Sequence, residues 1–194
     1  IQKVESHRAV DYNDMAQFMA DLRVREGLAA RALEFTILCA SRSGEVRGAL
    51  WSEINREKAI WTIPAERMKA GKEHRVPLST PAVKLLEALP RSDSSDLVFA
   101  GADDKPLSDM ALTAVMRRME VDAVPHGFRS TFRDWVGDCT NHPRDVAEFA
   151  LAHKLSDKVE ASYRRSDALE KRRQMMEEWA DFCAKLPDLE LRES

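Results

Sequence analysis

Between residues 49 and 79 three short β-rich runs, ALWSEIN, AIWTIP and HRVPLS, follow one another with only turn-length segments between them, and helical patterns flank them on both sides. Strands joined by so few residues pair antiparallel, because a parallel crossover needs a dozen residues or more. This predicts a mainly α chain carrying one small antiparallel β-sheet, an α+β architecture.

The flanking segments read as helices. In DYNDMAQFMADLRVREG, Met15, Phe18, Met19 and Leu22 recur at helical spacing, with Asp11 or Asn13 as N-cap and Gly27 as terminator. ARALEFTILCAS is a second, strongly apolar helix that delivers Arg42 at its end. Ser79 and Thr80 before Pro81 open a helix that continues through VKLLEAL. DLVFAGADDKPLS reads as an extended run followed by a loop, Ser108 as the cap of MALTAVMRRME, and a helix follows HGFR through Trp135. PRDVAEFALAH, KVEASYRR and ALEKRRQMMEEWADFCAKL complete a mostly helical second half, with no internal repeat or second domain boundary.

At 194 residues and 44% hydrophobic content the chain supports one domain with a full core. No apolar stretch approaches the roughly 20 residues of a membrane-spanning helix. The start, IQKVESHRAV, is neither a signal peptide nor a natural initiator, so residues 1–10 read as the end of a linker. Cys39, Cys139 and Cys183 are odd in number and lack metal-ligand spacing, which predicts buried free thiols in a reducing compartment. Trp51, Trp61, Trp135 and Trp179 read as core. Met175, Met176, Trp179, Phe182, Cys183 and Leu186 form a helical stripe that packs either on this domain or on a neighbouring copy.

The net charge is −3, low for a phosphate binder, but it is unevenly placed. Six acids against two bases in residues 177–194 give −4, so the rest of the chain sums to +1. Arg164, Arg165, Lys171, Arg172 and Arg173 cluster just after Tyr163.

Six residues suit a single chemical task, a phenolic oxygen attacking a phosphodiester while donors hold the phosphate. Arg42 offers a rigid, always-charged fork, and Glu45 three residues on could share a helical face with it; Arg47 competes for the same role. Lys69 lies in the turn between AIWTIP and HRVPLS, beside Gly71, where it could reach a nucleic-acid groove; Lys72 is an alternative. His126 and Arg129, at i and i+3, fall on one side of a helical turn. His153 closes an apolar helix. Tyr163 needs neighbouring cations or a base to become nucleophilic, and the other tyrosine, Tyr12, has no such company.

In this order and spacing the runs SRSGE, MKAGKEHRVPLS, HGFRSTFRDW, LAHK and ASYRRSD resemble the catalytic domain of the tyrosine recombinases, or phage integrases, over about residues 11–186. ALWSEI, WTIPAERMKAGKEHRVPLS and HGFRSTFRDW look most like prophage and genomic-island integrases of the satellite-phage branch. The resemblance favours Arg42 over Arg47 and Lys69 over Lys72. It makes His126-Gly127-Phe128-Arg129 the HxxR motif, His153 the third phosphate-binding position and Tyr163 the nucleophile. It implies a site-specific recombinase that forms a 3′-phosphotyrosine without metal, ATP or other cofactor. Its implied partners are double-stranded attachment sites, a homotetramer of the full-length protein on DNA, and accessory DNA-bending or excision factors. The implied setting is the bacterial cytoplasm, at the nucleoid.

On this reading residues 1–10 follow an N-terminal core-binding domain that the chain lacks, 11–186 form the catalytic domain and 187–194 an acidic tail. The departures are Ser41-Arg42-Ser43, where that branch often has other small or proline neighbours, and the low net charge. Two other readings share the fold or the chemistry: a non-catalytic DNA-binding module, and a type IB topoisomerase-like relaxing enzyme.

Overall fold

The computed structural model describes residues 8–153 and 167–185. Its elements run in the order α1 (Met15–Arg23), α2 (Leu28–Leu38), α3 (Ser43–Arg47), β1 (Ile54–Asn55), β2 (Ile60–Ile63), β3 (His74–Pro77), α4 (Thr80–Ala88), α5 (Ala111–Arg118), α6 (Gly127–Cys139), α7 (Arg144–Ala150) and α8 (Leu169–Phe182). The mainly helical chain with one small antiparallel sheet matches the expected fold class. Among the described residues no helix is long and apolar enough to cross a membrane.

α2 is the centre of the core. Every residue from Ala32 to Leu38 is buried, and the helix packs against α1, α3, α4, α5 and α8. A helix buried on all sides must be apolar all round, and the one carboxylate in that run, Glu34, is neutralised by Arg23 at 2.8 Å and Arg31 at 2.7 Å. α1 buries Met15, Phe18, Met19 and Leu22, the residues whose spacing marked it as helical. Asp11 caps the 3-10 turn Tyr12–Asp14 that precedes α1, accepting the Asn13 backbone N–H at 2.9 Å, while the N-cap position of α1 itself is Asp14. Gly27 does not end α1, which stops at Arg23; with φ of 97° it begins α2 instead, a conformation that glycine adopts freely.

The sheet has the order β1-β2-β3, with Ile54 opposite Trp61 and Ile63 opposite His74. Of ALWSEIN, only Ile54 and Asn55 pair as a strand; Trp51–Glu53 form a 3-10 turn. The cause is Glu53, which turns inward to accept the Trp61 indole N–H at 2.9 Å and to pair with Arg67, breaking the alternation. The extended run near Val98 makes only isolated bridges, Leu50 with Leu97 and Ala100 with Pro106. α4 starts at Thr80 with Pro81 in its first turn, as expected; Ser79 holds the N-cap position without a side-chain hydrogen bond, and Glu177 accepts the Thr80 N–H at 2.8 Å. Ser108 is not a cap: α5 starts at Ala111, and Ser108 merely offers its carbonyl to the Ala111 N–H at 3.0 Å.

The four tryptophans are buried. Trp135 and Trp179 lie 5.0 Å apart between centroids, and Phe132 meets Trp179 edge-on. The α8 stripe packs on its own domain through Met175, Met176, Trp179 and Cys183, and Trp179 donates to the Ile37 carbonyl at 2.9 Å; Leu186 lies outside the described residues. Cys39 and Cys183 are buried, as expected, and burial pushes both thiols upward; Cys139 departs from the expectation, exposed at the end of α6. Residues 8–10 of the expected linker pack on α6 and the loop before it. The Arg8 carbonyl accepts the Val124 N–H at 3.1 Å and the Val10 carbonyl accepts the Thr131 hydroxyl at 2.6 Å. A Cβ at Gly127 would collide with the Arg8 carbonyl, so glycine is required there.

One buried arginine ties α8 to the sheet. Arg172 is 1% exposed and donates to the Arg75 carbonyl at 2.6 Å, the Asp167 carbonyl at 2.9 Å and the Asp167 carboxylate at 3.0 Å. Arg75 closes the lock by pairing with the same carboxylate at 2.6 Å. Arg172→Met fills the same volume but leaves buried acceptors unpaired, so it should lower unfolding free energy by about 2–4 kcal/mol. Arg75→Ala, removing a half-exposed partner, should cost about 1 kcal/mol or less. Urea denaturation of the two variants measures this, and equal losses would refute the ranking.

Candidate active site

The site is built where two helices end. α2 closes with Ala40 at φ of 48°; the Ser41 N–H bonds back to the Thr36 carbonyl at 3.2 Å and the Ala40 N–H to Ile37 at 3.1 Å. α7 closes in the same way: Ala152 has φ of 48°, the His153 N–H reaches the Glu148 carbonyl at 3.0 Å and the Ala152 N–H reaches Phe149 at 3.0 Å. Both are Schellman motifs, with alanine in the left-handed position that glycine usually holds. The strain is of order 1 kcal/mol at each alanine, and both turns lead directly to a predicted site residue.

Arg129 bridges the two turns. It sits in the first turn of α6, 4% exposed, and donates from Nη1 to the Ala40 carbonyl at 2.7 Å and from Nη2 to the Leu151 carbonyl at 2.5 Å. Its Nη2 also lies 3.2 Å from His153 Nε2. Burial, and secondly the nearby Arg42 charge, pull the guanidinium down to about 10, while Glu45 and Glu148 act in the opposite direction. It remains charged at neutral pH. Its Nε is buried and has no hydrogen-bond partner among the described residues.

Arg42 follows the first turn as the N-cap of α3 rather than as a helical residue, with ψ of 143°. Glu45, at the third helical position, holds it twice, accepting the Arg42 backbone N–H at 3.0 Å and its Nη1 at 2.8 Å. The expected pairing of the two therefore forms, with both hydrogen bonds donated by Arg42 to the Glu45 carboxylate, from the N-cap position instead of a shared helical face. Glu45 is nearly buried while Arg42 stays a quarter exposed, so the carboxylate lies behind and the guanidinium in front. Arg47, the competing arginine, is committed to the Leu107 carbonyl at 2.9 Å and to Asp109.

His153 follows the second turn, with Nε2 beside Arg129 and Nδ1 2.6 Å from Glu148 Oε2. His126 is the exposed N-cap of α6, three residues ahead of Arg129. Lys69 is exposed in the β2–β3 turn, where Gly71 adopts φ of 63° and its N–H bonds to the Met68 carbonyl at 2.9 Å. The structure thus joins Arg42, Glu45, Arg129 and His153, places His126 on the same helical turn as Arg129, and sets Lys69 on the hairpin tip. Tyr163 lies outside the described residues.

Two neighbours were not anticipated. Half-buried His74, at the start of β3, is held down at about 3 by burial and then by the charges of Arg172, Arg129 and Arg42, opposed by a backbone hydrogen bond with Ala150. It is therefore a neutral ring beside two site arginines at any physiological pH. Period-two alternation through HRVPLS sets it on the face of buried Val76 and Leu78, a signal present in the sequence. Glu148, on α7, pairs with His153, with Arg133 at 2.9 Å and more distantly with Arg144 at 3.9 Å. Its place five residues before His153 becomes informative only once the helix is known to close by a Schellman turn.

Residues 8–170 match the model of the phage integrase family. The putative protein IntB of Escherichia coli (strain K12) is 36% identical over 171 residues, covering 78% of this chain and 43% of that protein. The integrase of Enterobacteria phage P4 is 32% identical over 202 residues, covering 93% of this chain and 46% of that protein. The chain thus spans less than half the length of these curated relatives. Among solved structures, the integrase from mycobacterium phage Brujita superimposes with a TM-score of 0.72 at 18% identity, over 97% of this chain and 63% of that one. A lambda integrase tetramer bound to a Holliday junction gives 0.58 at 18% identity, over 80% and 50%. These likenesses carry the fold, and the family match with the close sequence relatives carries the conclusion: the chain belongs to the phage integrase family.

Proposed function

We propose that the chain is the catalytic part of a site-specific DNA recombinase that cleaves and rejoins DNA through a 3′-phosphotyrosine. The observation that carries this reading is the convergence of Arg42, Arg129 and His153, with a buried Arg129 N–H that has no protein acceptor among the described residues. Two arginines and an imidazole that can take up a proton around one point suit the non-bridging oxygens of a phosphodiester, whose charge grows in the transition state. Relatives named integrases, and solved neighbours captured on core-site DNA and on a Holliday junction, support the same substrate class.

In this mechanism Tyr163 attacks the scissile phosphorus in line and the 5′-oxygen leaves. Arg42, Arg129 and His153 take up the developing charge. Glu45 holds Arg42 against its own cap. Lys69, on the hairpin tip, protonates the leaving oxygen, and His126 assists proton transfer or orients the phosphate. The phosphotyrosine conserves the bond energy, so rejoining is the same step reversed with a second 5′-hydroxyl. The acting form is a tetramer of the full-length protein on paired attachment sites in the bacterial cytoplasm, with accessory DNA-bending factors setting direction.

Covalent trapping on a nicked duplex that carries attachment DNA tests the assignment. Wild type should form a denaturation-resistant adduct and Tyr163→Phe none; an adduct in the Phe variant overturns the nucleophile. No adduct from the full-length protein on its own site would favour a non-catalytic module. Lys69→Ala should slow cleavage by about 10²–10⁴-fold, and a sulfur leaving atom at the 5′ position, which needs no proton, should restore most of the rate. An unrestored rate would remove Lys69 from the role of acid.

A further inference from the structure

The hydrogen bonds around His153 define its ring more sharply than its sequence motif does. A carboxylate only accepts, so the 2.6 Å contact from Nδ1 to Glu148 Oε2 requires the proton on Nδ1. A guanidinium only donates, so the 3.2 Å contact with Arg129 Nη2 requires a bare Nε2. The two partners independently select one neutral tautomer, with Nδ1–H pointing away from the site and Nε2 towards Arg129. The ring itself is just over a third exposed, and Nε2 is the nitrogen that faces the Arg129 guanidinium.

Glu148 is built to hold that arrangement. Its backbone carbonyl accepts the His153 N–H at 3.0 Å, so the turn that ends α7 also sets carboxylate and ring against each other. Its side chain is mostly buried, and Arg133 at 2.9 Å supplies its counter-charge from α6. Among the described residues its charged partners are His153, Arg133 and, more distantly, Arg144.

We infer that Glu148 is the positioning residue of His153, fixing the tautomer and the ring plane so that Nε2 alone addresses the scissile phosphate. The inference rests on the phosphodiester-cleaving reading above. When a phosphate oxygen replaces Arg129 as the neighbour of Nε2, the ring must carry a proton on that nitrogen too. Glu148 then stands as the carboxylate opposite an imidazolium, as an orienting acid stands behind a catalytic histidine elsewhere.

Nitrogen NMR of the ¹⁵N-labelled imidazole reads the tautomer directly in the DNA-free chain. Wild type should show Nδ1 protonated and Nε2 bare. Glu148→Ala should lose that preference, Glu148→Gln should keep it through its amide oxygen, and Arg133→Ala should leave it unchanged. In single-turnover cleavage at saturating protein, Glu148→Ala should be slower by about 10–100-fold, Glu148→Gln within a few-fold of wild type, and DNA affinity unchanged for both. An unaltered tautomer in Glu148→Ala overturns the inference, as does an altered tautomer with a wild-type cleavage rate. If wild type itself forms no adduct, the functional reading fails separately, and the tautomer measurement alone decides whether Glu148 sets the ring.

Discussion

The Arg129 guanidinium joins chain segments that no strand or helix connects. Its first nitrogen holds the carbonyl of Ala40 after α2, its second holds Leu151 after α7, and the second also meets His153. Burying an arginine costs several kcal/mol before its partners are counted. Two carbonyls at hydrogen-bond distance, with Glu45 and Glu148 acting on its charge from either side, offset that cost. The consequence is geometric. Arg42 lies two residues beyond one carbonyl and His153 two beyond the other, so neither can shift without disturbing a buried charge.

Rigidity at that point comes from underneath. The last turn of α2 is pinned by the Trp179 indole N–H on the Ile37 carbonyl, and β3 is pinned by Arg172 on the Arg75 carbonyl. Both donors belong to α8, so a single helix fixes the helix end before Arg42 and the strand after Lys69. The Arg75–Asp167–Arg172 lock also stands four residues after Tyr163 in sequence. It holds Asp167 against the strand that carries His74.

Much of this was legible beforehand because it rests on local chemistry. The helical spacing of Met15, Phe18, Met19 and Leu22, the Ser79–Pro81 helix start and the paired runs AIWTIP and HRVPLS each express a period or a turn signal, and each forms. Pairing of Arg42 with Glu45 was readable for the same reason. The misreadings have non-local causes. Gly27 suited either a stop or a start, and only the packing of α2 decides; ALWSEIN lost most of its strand to Glu53, whose partners Trp61 and Arg67 come from later in the chain. His74 and Glu148 lay hidden because their significance depends on what faces them across the fold. A strand histidine and a helix glutamate are unremarkable until Arg129 and His153 are placed.

Net charge was the weakest guide, and the site explains why. Phosphate recognition depends on which charges face the ligand, and the sum over the chain does not report that. Here the Arg42 charge lies close enough to weaken the hold of Arg129 on its proton, which would be unfavourable without compensation. Compensation comes from acids placed behind them: Glu45 is almost buried against Arg42, and Glu148 is mostly buried against His153 and Arg133. These carboxylates enter the total as negative charge yet serve to concentrate positive charge at the open face. A further six acids fall in residues 177–194, outside the residues that form the site. An acidic total and the proposed phosphate site are therefore compatible, since part of the acid content is what holds the cations in place.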